Sequence, residues 1–320
     1  MIGLNKINHA NRGRCYNFIE MNCGGMIYSN LSGVGSLEIT EFVKKQIQDG
    51  FDDEFCQWYE FLLGSKTVGI ARMRYLQWDT NVLKVKSGMI DFIIVNDELE
   101  FSEVVNGIRN LTSKLINEKV VFVALKVNAG LYKIIHAAEE IGYKVVDTQI
   151  ILEKEVGNPN IKPLSEGFSL REFSNEEVPG VEVLGDIFEY TRFHSDQNIG
   201  NDKADKVWRE IIKSSCIGFS DRVFLANDCN GKPAAIVTVH FQQIGEKLIA
   251  NLFSVGVLID YRGNGMGSSL ISYAENYCSG KTDRIIVETQ ACNYGSVSFY
   301  IKNGFKRCAG AQTALHYWNN

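Results

Sequence analysis

The chain has 320 residues, of which 45% are hydrophobic, with 33 Lys and Arg against 38 Asp and Glu. This composition is typical of a globular protein of about two domains and excludes a disordered chain. The net charge of −5 offers no basic field for nucleic acid. The sequence predicts no membrane span and no signal peptide, since it lacks an apolar run of about 18 residues and a basic start followed by an apolar stretch. We therefore expect a cytoplasmic protein.

The cysteines predict reduced thiols and no metal site. None forms a CxxC pair, and no histidine lies at metal-ligand spacing from one. Scattered thiols of this kind are typical of a reducing compartment. The eight cysteines are Cys15, Cys23, Cys56, Cys216, Cys229, Cys278, Cys292 and Cys308.

The first half of the chain, residues 1–156, is predicted to form one domain of strands and helices. β-branched and aromatic runs predict the strands, and a 3.6-residue hydrophobic period predicts the helices. The predicted strands are residues 58–63, 67–72, 89–95, 120–127 and 143–153, and the predicted helices are residues 36–48, 103–116 and 131–141. The segment Gly157-Asn158-Pro159-Asn160-Ile161-Lys162-Pro163 has turn chemistry and no hydrophobic period, which predicts a linker.

The second half, residues 164–320, is predicted to repeat this order as a second domain. The predicted strands are residues 222–227, 234–241, 248–258, 284–289 and 312–318, and the predicted helices are residues 267–277 and 293–303. Both halves therefore predict an α/β fold with mixed sheets, arranged in tandem. One element does not repeat: residues 96–100 of the first half are acidic and lack glycine, so we expect no phosphate-binding turn there.

The segment from Asp260 to Ser268 carries the clearest chemical signal. It joins a predicted strand to a predicted helix and contains three glycines, Gly263, Gly265 and Gly267. Glycine lets the backbone turn tightly and approach a ligand, and the amides at a helix N-terminus bind anions. Arg262 adds a positive charge, so the segment predicts a pyrophosphate site. It is not a Walker loop, because no Lys-Ser/Thr follows the last glycine, and not a dinucleotide fingerprint, because an antiparallel meander precedes it.

Two motifs resemble a known family. Arg262-Gly263-Asn264-Gly265-Met266-Gly267 matches the R/Q-x-x-G-x-G/A motif of the GNAT acyltransferases. The segment from Asn293 to Phe305, NYGSVSFYIKNGF, matches their second signature, N-x-x-[SA]-x-x-[FL]-Y-x-x-x-G-F. The resemblance implies two tandem GNAT-like domains, the first without the phosphate loop, and acetyl-CoA as the acyl donor.

A narrower resemblance concerns the acceptor. Tyr190-Thr191-Arg192-Phe193-His194-Ser195-Asp196 is similar to a segment of the TDP-fucosamine acetyltransferases, as are LQWDTNVL at residues 76–83 and the closing His316-Tyr317-Trp318. Leu83 stands where that pattern often has Phe-Gly. The resemblance implies a TDP-linked dideoxyamino sugar as acceptor, acetylated on its 4-amino group by direct transfer. A homodimer is implied by the resemblance alone.

The GNAT resemblance also implies roles for individual residues. The implied contacts of acetyl-CoA are Val255, Val257, Arg262, Gly263, Asn264, Gly265, Gly267, Ser268 and Asn293. Tyr300 is the implied general acid that protonates the departing sulfur, and a phenol with a pKa of about 10 is protonated at neutral pH. Because Tyr300 follows Asn293 by seven residues, a helix would place both on nearly the same face. The alternative for Tyr300 is a core aromatic residue that packs on the sheet.

The acceptor side of the site is less specified. Arg192 is a candidate for binding substrate phosphates, and His194 and His240 are candidates for contacting the substrate. No residue is assigned as the base, and a water chain to bulk solvent is the favoured route for the amine proton. Two other functions stay open: a GNAT enzyme for another small amine or a protein N-terminus, and a non-catalytic acyl-CoA-binding module.

Overall fold

The computed structural model describes residues 2–157 and 160–319, so Asn158 and Pro159 of the predicted linker lie outside the described residues. The chain divides into two compact units: one runs to Gln149 and includes the residues from Gly310 onward, and the other is Ile150–Ala309. The division therefore falls inside a strand that precedes the predicted linker. The last strand belongs to the first unit because its residues pair with a strand of that unit.

The first unit is a mixed sheet covered by helices. Its strands are β1 (Ile2–Lys6), β2 (Cys56–Leu63), β3 (Lys66–Tyr75), β4 (Ser87–Val95), β5 (Phe122–Asn128) and the first half of β6 (Lys144–Glu155). Its helices are α1 (Arg12–Asn22), α2 (Ser36–Asp49), α3 (Gln77–Leu83), α4 (Phe101–Asn117) and α5 (Tyr132–Glu140). The C-terminal strand, β12 (Arg307–Trp318), lies between β5 and β6 in the order β1-β2-β3-β4-β5-β12-β6.

Helix α4 shows why these segments fold as they do. Val104, Ile108, Leu111 and Leu115 recur at three- and four-residue spacing and are all buried in the core of the first unit. Its polar residues cover the opposite face. The helix was predicted at residues 103–116, and its sequence supplies both the period and the capping pair Glu100 and Glu103.

The second unit has the same kind of architecture. Its further strands are β7 (Ser169–Phe173), β8 (Arg222–Asn227), β9 (Pro233–Ile244), β10 (Lys247–Val257) and β11 (Arg284–Gln290). Its helices are α6 (Asn201–Cys216), α7 (Met266–Cys278) and α8 (Tyr294–Lys302), with a short 3-10 segment at Val181–Ile187. The strand order is β6-β11-β10-β9-β8-β7, in which β10 and β11 are parallel and β9 and β10 antiparallel.

The sheet of the second unit has two covered faces. On one face, buried residues of β9, β10 and β11 pack with Leu270 and Ala274 of α7 and with Tyr300 of α8. On the other face, Ile236 of β9 packs with Leu184 of the 3-10 segment and Ile212 of α6. We call these the α7 face and the α6 face. None of the helices in the described ranges combines the length and apolarity needed to cross a membrane.

Candidate functional site

The glycine loop between β10 and α7 has the backbone of an anion site. Gly263 has a φ of +88° and Gly265 a φ of +72°, in the left-handed region that side chains other than glycine rarely adopt. The helix begins at Met266, and its first internal bond runs from Ser269 N to Gly265 O at 3.0 Å. The preceding amides, including those of Gly267 and Ser268, have no acceptor within the helix. They are therefore available to an anion at the positive end of the helix dipole.

Three side-chain bonds fix this loop. The Tyr261 hydroxyl donates to Asp228 Oδ2 at 2.9 Å, and Ser165 Oγ donates to Asn264 O at 2.8 Å. Arg262 Nε donates to Val257 O at 3.1 Å, while the side chain stays exposed at the start of the loop. The loop is thus held at both ends, with a guanidinium beside its amides.

Gly267 allows α7 to approach the sheet and α8 closely. A Cβ at this position would lie 3.0 Å from Phe299 Cζ and 3.4 Å from Val257 Cγ2. Both contacts are with packed side chains, and the shorter one is below ordinary van der Waals separation. The third glycine of the motif therefore serves close packing, whereas the first two adopt left-handed backbone conformations.

A gap opens between β10 and β11 just before the loop. Their parallel pairing ends at Leu252 and Val287, although both strands continue. The amide of Ser254 donates to Thr238 Oγ1 on β9 at 3.1 Å. Main-chain groups alternate sides along a strand, so the amides of Val255 and Val257 point away from β9 into the gap. An extended ligand with amide groups can pair with them as an added strand.

Gly256 lies between these two valines and serves packing on the α6 face. A Cβ there would meet Ile187 Cγ2 at 2.9 Å and Ile187 Cδ1 at 3.0 Å. Ile187 of the 3-10 segment therefore packs directly against β10 beside the gap.

Tyr300 lies on α8 in the core of the α7 face, and its side chain is only 6% exposed. Burial raises the pKa of its hydroxyl, so the phenol stays protonated well above neutral pH. No hydrogen bond from the described residues, 2–157 and 160–319, reaches this hydroxyl. Tyr300 is therefore compatible with both interpretations of the sequence, core aromatic residue and general acid, because it packs in the core and retains a proton that it can donate.

Asn293 is not inside the helix that carries Tyr300. It is the N-cap of α8, and its Oδ1 accepts a hydrogen bond from Ser296 N at 3.1 Å. The helix predicted to begin at Asn293 therefore begins one residue later, at Tyr294, with Asn293 as its cap. The motif asparagine begins the helix that holds Tyr300, and its Nδ2 remains as a donor.

The candidate acceptor residues differ in how far they are already engaged. His194 is bonded at both ring nitrogens, to Thr191 Oγ1 at 2.7 Å and to Asp205 Oδ1 at 3.0 Å, which favours a positioning role. The Arg192 guanidinium lies 4.0 Å from the centre of the Phe193 ring. His240 Nε2 is bonded to Ser220 Oγ at 3.0 Å, and burial lowers the pKa of its imidazole, so the ring is neutral at pH 7.

A cleft beside the first turn of α7 was not predicted. It is lined by Lys154, Lys162 and Ser268, among others. The predicted linker reaches this helix: Lys162 N donates to Ser272 Oγ at 2.9 Å, and Pro163 O accepts from Ser269 Oγ at 3.0 Å. Lys154 Nζ donates to Glu275 Oε2, another residue of the cleft, at 2.6 Å, so the added positive charge beside Ser268 is that of Lys162, which suits a ligand with several phosphates.

Comparisons with known proteins agree with this geometry. The model of the acetyltransferase (GNAT) family matches residues 188–305, a range that includes the gap, the loop, α7 and Tyr300. The predicted fold class, mixed α/β with a GNAT domain, is confirmed. No curated protein matches the chain in sequence.

Solved structures extend the likeness beyond the GNAT domain. A GCN5-related N-acetyltransferase from Sphaerobacter thermophilus matches 99% of this chain and 95% of its own, with a TM-score of 0.63 and 14% identity. A tandem GNAT protein from the clavulanic acid biosynthesis pathway matches 99% of this chain and 98% of its own, with a TM-score of 0.58 and 10% identity. At these identities the likeness concerns the fold alone.

Residues 96–100 of the first unit contain no glycine, unlike the loop between β10 and α7. After β4 the chain passes through residues 96–100 into α4, whose first turn carries Glu103. A carboxylate at a helix N-terminus competes with a bound phosphate. Glu103 therefore makes the start of α4 an unfavourable place for a phosphate.

Proposed function

We propose that the protein is an N-acetyltransferase that moves the acetyl group of acetyl-CoA to a primary amine by direct transfer. The observation that carries this proposal is the arrangement around β10. An amide-lined loop, a gap with unpaired strand amides and the Tyr300 hydroxyl all belong to the GNAT domain. A binding module needs the loop and the gap, but it has no use for a protonated hydroxyl that bonds to none of the described residues.

Acetyl-CoA is positioned by two sets of groups in this proposal. The pyrophosphate lies on the loop amides from Gly263 to Ser268, beside Arg262, with Lys162 available to a further phosphate. The pantetheine amides pair with Val255 and Val257 in the gap. This places the thioester near the start of the gap, where a strand amide can donate to its carbonyl oxygen and stabilise negative charge there.

The reaction needs one acid and one proton acceptor. The neutral amine attacks the thioester carbon, a carbon–nitrogen bond forms, and the carbon–sulfur bond breaks. The departing thiolate takes the proton of Tyr300, and water returns a proton to the phenolate. The amine nitrogen loses its proton to a water chain. No covalent acyl-enzyme is required, so none of the cysteines takes part.

The acceptor is proposed on the sequence resemblance. It predicts that the acetyl group goes to the 4-amino group of a TDP-linked dideoxyamino sugar, with Arg192 near the phosphates of that sugar. We also propose that the protein is cytoplasmic and forms a homodimer. Another small amine or a protein N-terminus would use the same chemistry. An assay of thiol release from acetyl-CoA against TDP-amino sugars, simple amines and peptides distinguishes these acceptors. Turnover of none of them, with acetyl-CoA still bound, would contradict the proposed enzyme and favour the binding module.

Replacing Gly267 by valine is expected to weaken acetyl-CoA binding roughly 30-fold or more. The added side chain meets Phe299 and Val257, and overpacking of this kind shifts the backbone at a cost of about 1–3 kcal/mol. A shift of α7 moves the loop amides away from the pyrophosphate. Isothermal titration with acetyl-CoA measures the effect. Gly13→Ala is the control, because a Cβ there meets nothing within 4 Å and lies on α1 in the first unit. Equal acetyl-CoA affinities of Gly267→Val and Gly13→Ala would contradict the assignment of the loop as the pyrophosphate site.

A further inference from the structure

The residues at the end of the predicted linker are bound to α7 and to the glycine loop. We call residues 162–168 the strap. Its three bonds, each given from donor to acceptor, are Lys162 N to Ser272 Oγ at 2.9 Å, Ser269 Oγ to Pro163 O at 3.0 Å, and Ser165 Oγ to Asn264 O at 2.8 Å. As the strap advances, its partners lie at earlier positions in the chain. It therefore runs along the first two turns of α7 toward the loop.

Apolar contacts also fix the strap. Leu164 and Phe168 are partly buried and pack on the core of the α7 face. The rings of Phe168 and Tyr261 meet edge to face, with 5.7 Å between their centres. These contacts do not involve the hydroxyl of Ser165. That hydroxyl is therefore carried by a segment whose position the core determines, and its removal should leave the strap in place.

The bond from Ser165 sets the direction of one loop amide. A trans peptide group is planar, so its C=O and the following N–H point in opposite directions. Because Asn264 O points to the strap, the amide of Gly265 points to the opposite side of the loop. An anion on that side can accept from Gly265 N together with the amides of Gly267 and Ser268 at the start of α7.

Glycine allows this peptide group to turn over when nothing holds it. Gly265 has a φ of +72°, and the reversed group would give it a negative φ, which glycine adopts about as readily. The reversed group would also place the Asn264 carbonyl on the side of the anion, where the negative end of the peptide dipole repels a phosphate. The Ser165 hydroxyl therefore selects the orientation that suits an anion.

The strap lies outside residues 188–305, the range that the family model matches. Neither GNAT motif therefore includes it. We propose that Ser165 is a positioning residue of the donor site: its hydroxyl keeps the loop amides directed at the diphosphate of the donor, which favours thioesters that carry a nucleotide over those that do not. This inference rests on the proposed function, because it takes acetyl-CoA as the ligand of the loop.

The contribution of Ser165 is confined to one part of the donor. In the proposed function the pantetheine amides pair with Val255 and Val257 in the gap, whereas Ser165 acts on the loop. Loss of its hydroxyl should therefore weaken the binding of acetyl-CoA. The binding of S-acetylpantetheine, which lacks the nucleotide, should stay unchanged. A hydroxyl that only stabilised the fold would affect both donors or neither.

The test compares Ser165→Thr with Ser165→Val, because these replacements have nearly the same shape and only Ser165→Thr keeps the hydroxyl. We expect acetyl-CoA to bind about fivefold more weakly to Ser165→Val, the factor for one neutral hydrogen bond. Isothermal titration measures this affinity, and competition with acetyl-CoA gives the affinity for S-acetylpantetheine. Ser29→Val is the control, since Ser29 Oγ also donates to a main-chain oxygen, Gly24 O at 3.1 Å, but lies in the first unit. It should bind acetyl-CoA as the wild type does.

Two outcomes overturn the role of Ser165. One is an equal acetyl-CoA affinity of Ser165→Thr and Ser165→Val. The other is an equal loss of affinity for both donors, since the effect would then not depend on the diphosphate. A wild-type protein that does not bind acetyl-CoA would overturn the proposed function and, with it, the loop site on which Ser165 acts. Because the comparison measures binding, it decides the role of Ser165 even when no amine is acetylated.

Discussion

Replacing Tyr300 by phenylalanine is expected to lower kcat by about 100-fold or more while leaving acetyl-CoA affinity within about threefold. General acid catalysis contributes factors of this size, and the thiolate would have to leave without a proton donor. The substitution removes a hydroxyl that bonds to no described residue, so the buried ring keeps its packing against Phe299 and Phe305. The measurement is steady-state thiol release with the acceptor found in the amine panel, alongside titration with acetyl-CoA.

Tyr143→Phe is the matched control for this variant. Tyr143 is completely buried in the core of the first unit, but its hydroxyl bonds to Thr112 Oγ1 at 2.8 Å. Its loss should cost about 1 kcal/mol of stability and leave kcat unchanged. If Tyr300→Phe behaved like this control, with a normal kcat, Tyr300 would be a packing residue only.

The pH profile gives a second check on Tyr300. Burial raises the pKa of its hydroxyl above the usual value of about 10, so the acid form persists throughout the range in which the protein is assayed. Activity should therefore rise with pH as the acceptor amine loses its proton. A fall in kcat with an apparent pKa below about 9 would contradict Tyr300 as the acid.

The loop and its helix could be predicted because their determinants are local. Gly263 and Gly265 are required by backbone conformation, and glycine is the residue that adopts it without strain. The predicted helix at residues 267–277 is found at Met266–Cys278, and the predicted strand at residues 248–258 is found at Lys247–Val257. Each carries its own hydrophobic pattern, so no distant contact was needed to define it.

What the sequence did not reveal depends on distant contacts. The bulge at Phe253 is a property of the register between β10 and β9, and the bond from Asn251 to Glu288 joins two strands. Neither has a local pattern. The placement of β12 in the first unit likewise follows from its pairing with β5, whereas the linker composition suggested a division by sequence order.

Some elements were not predicted because their patterns are weak. Helix α1 buries only Cys15, Phe18 and Ile19 of its 11 residues, and polar residues occupy most other positions. Strand β1 pairs at the edge of its sheet, next to β2, and has only five residues. Such short or polar segments become ordered through the neighbours against which they pack, and propensity alone does not reveal them.

A large effect on stability is expected for the buried carboxylate of the first unit: Asp91→Asn should lower the free energy of unfolding by about 3–5 kcal/mol. The carboxylate is buried and accepts from Arg72 Nε at 2.7 Å, from Arg72 Nη2 at 2.8 Å and from Arg74 Nη2 at 2.8 Å. Removing its charge deprives both guanidinium groups of the carboxylate that they share. Urea denaturation followed by tryptophan fluorescence measures the loss, since buried Trp58 lies beside Arg72. Asp52→Asn, an exposed change, is the control.

The pH dependence of the difference in unfolding free energy between the wild type and Asp91→Asn distinguishes the loss of an ion pair from a packing defect. Burial alone would raise the pKa of Asp91, but the hydrogen bonds and charge of Arg72 and Arg74 outweigh it and hold the pKa below its usual value. The carboxylate therefore contributes its stability above the unfolded pKa of about 3.9 and loses it as the pH falls through the lower folded pKa. The wild type should exceed Asp91→Asn by a constant amount above about pH 5, and the difference should shrink below about pH 4. A difference that stays the same down to pH values where the wild type unfolds would show that the charge of Asp91 is not what holds Arg72 in place.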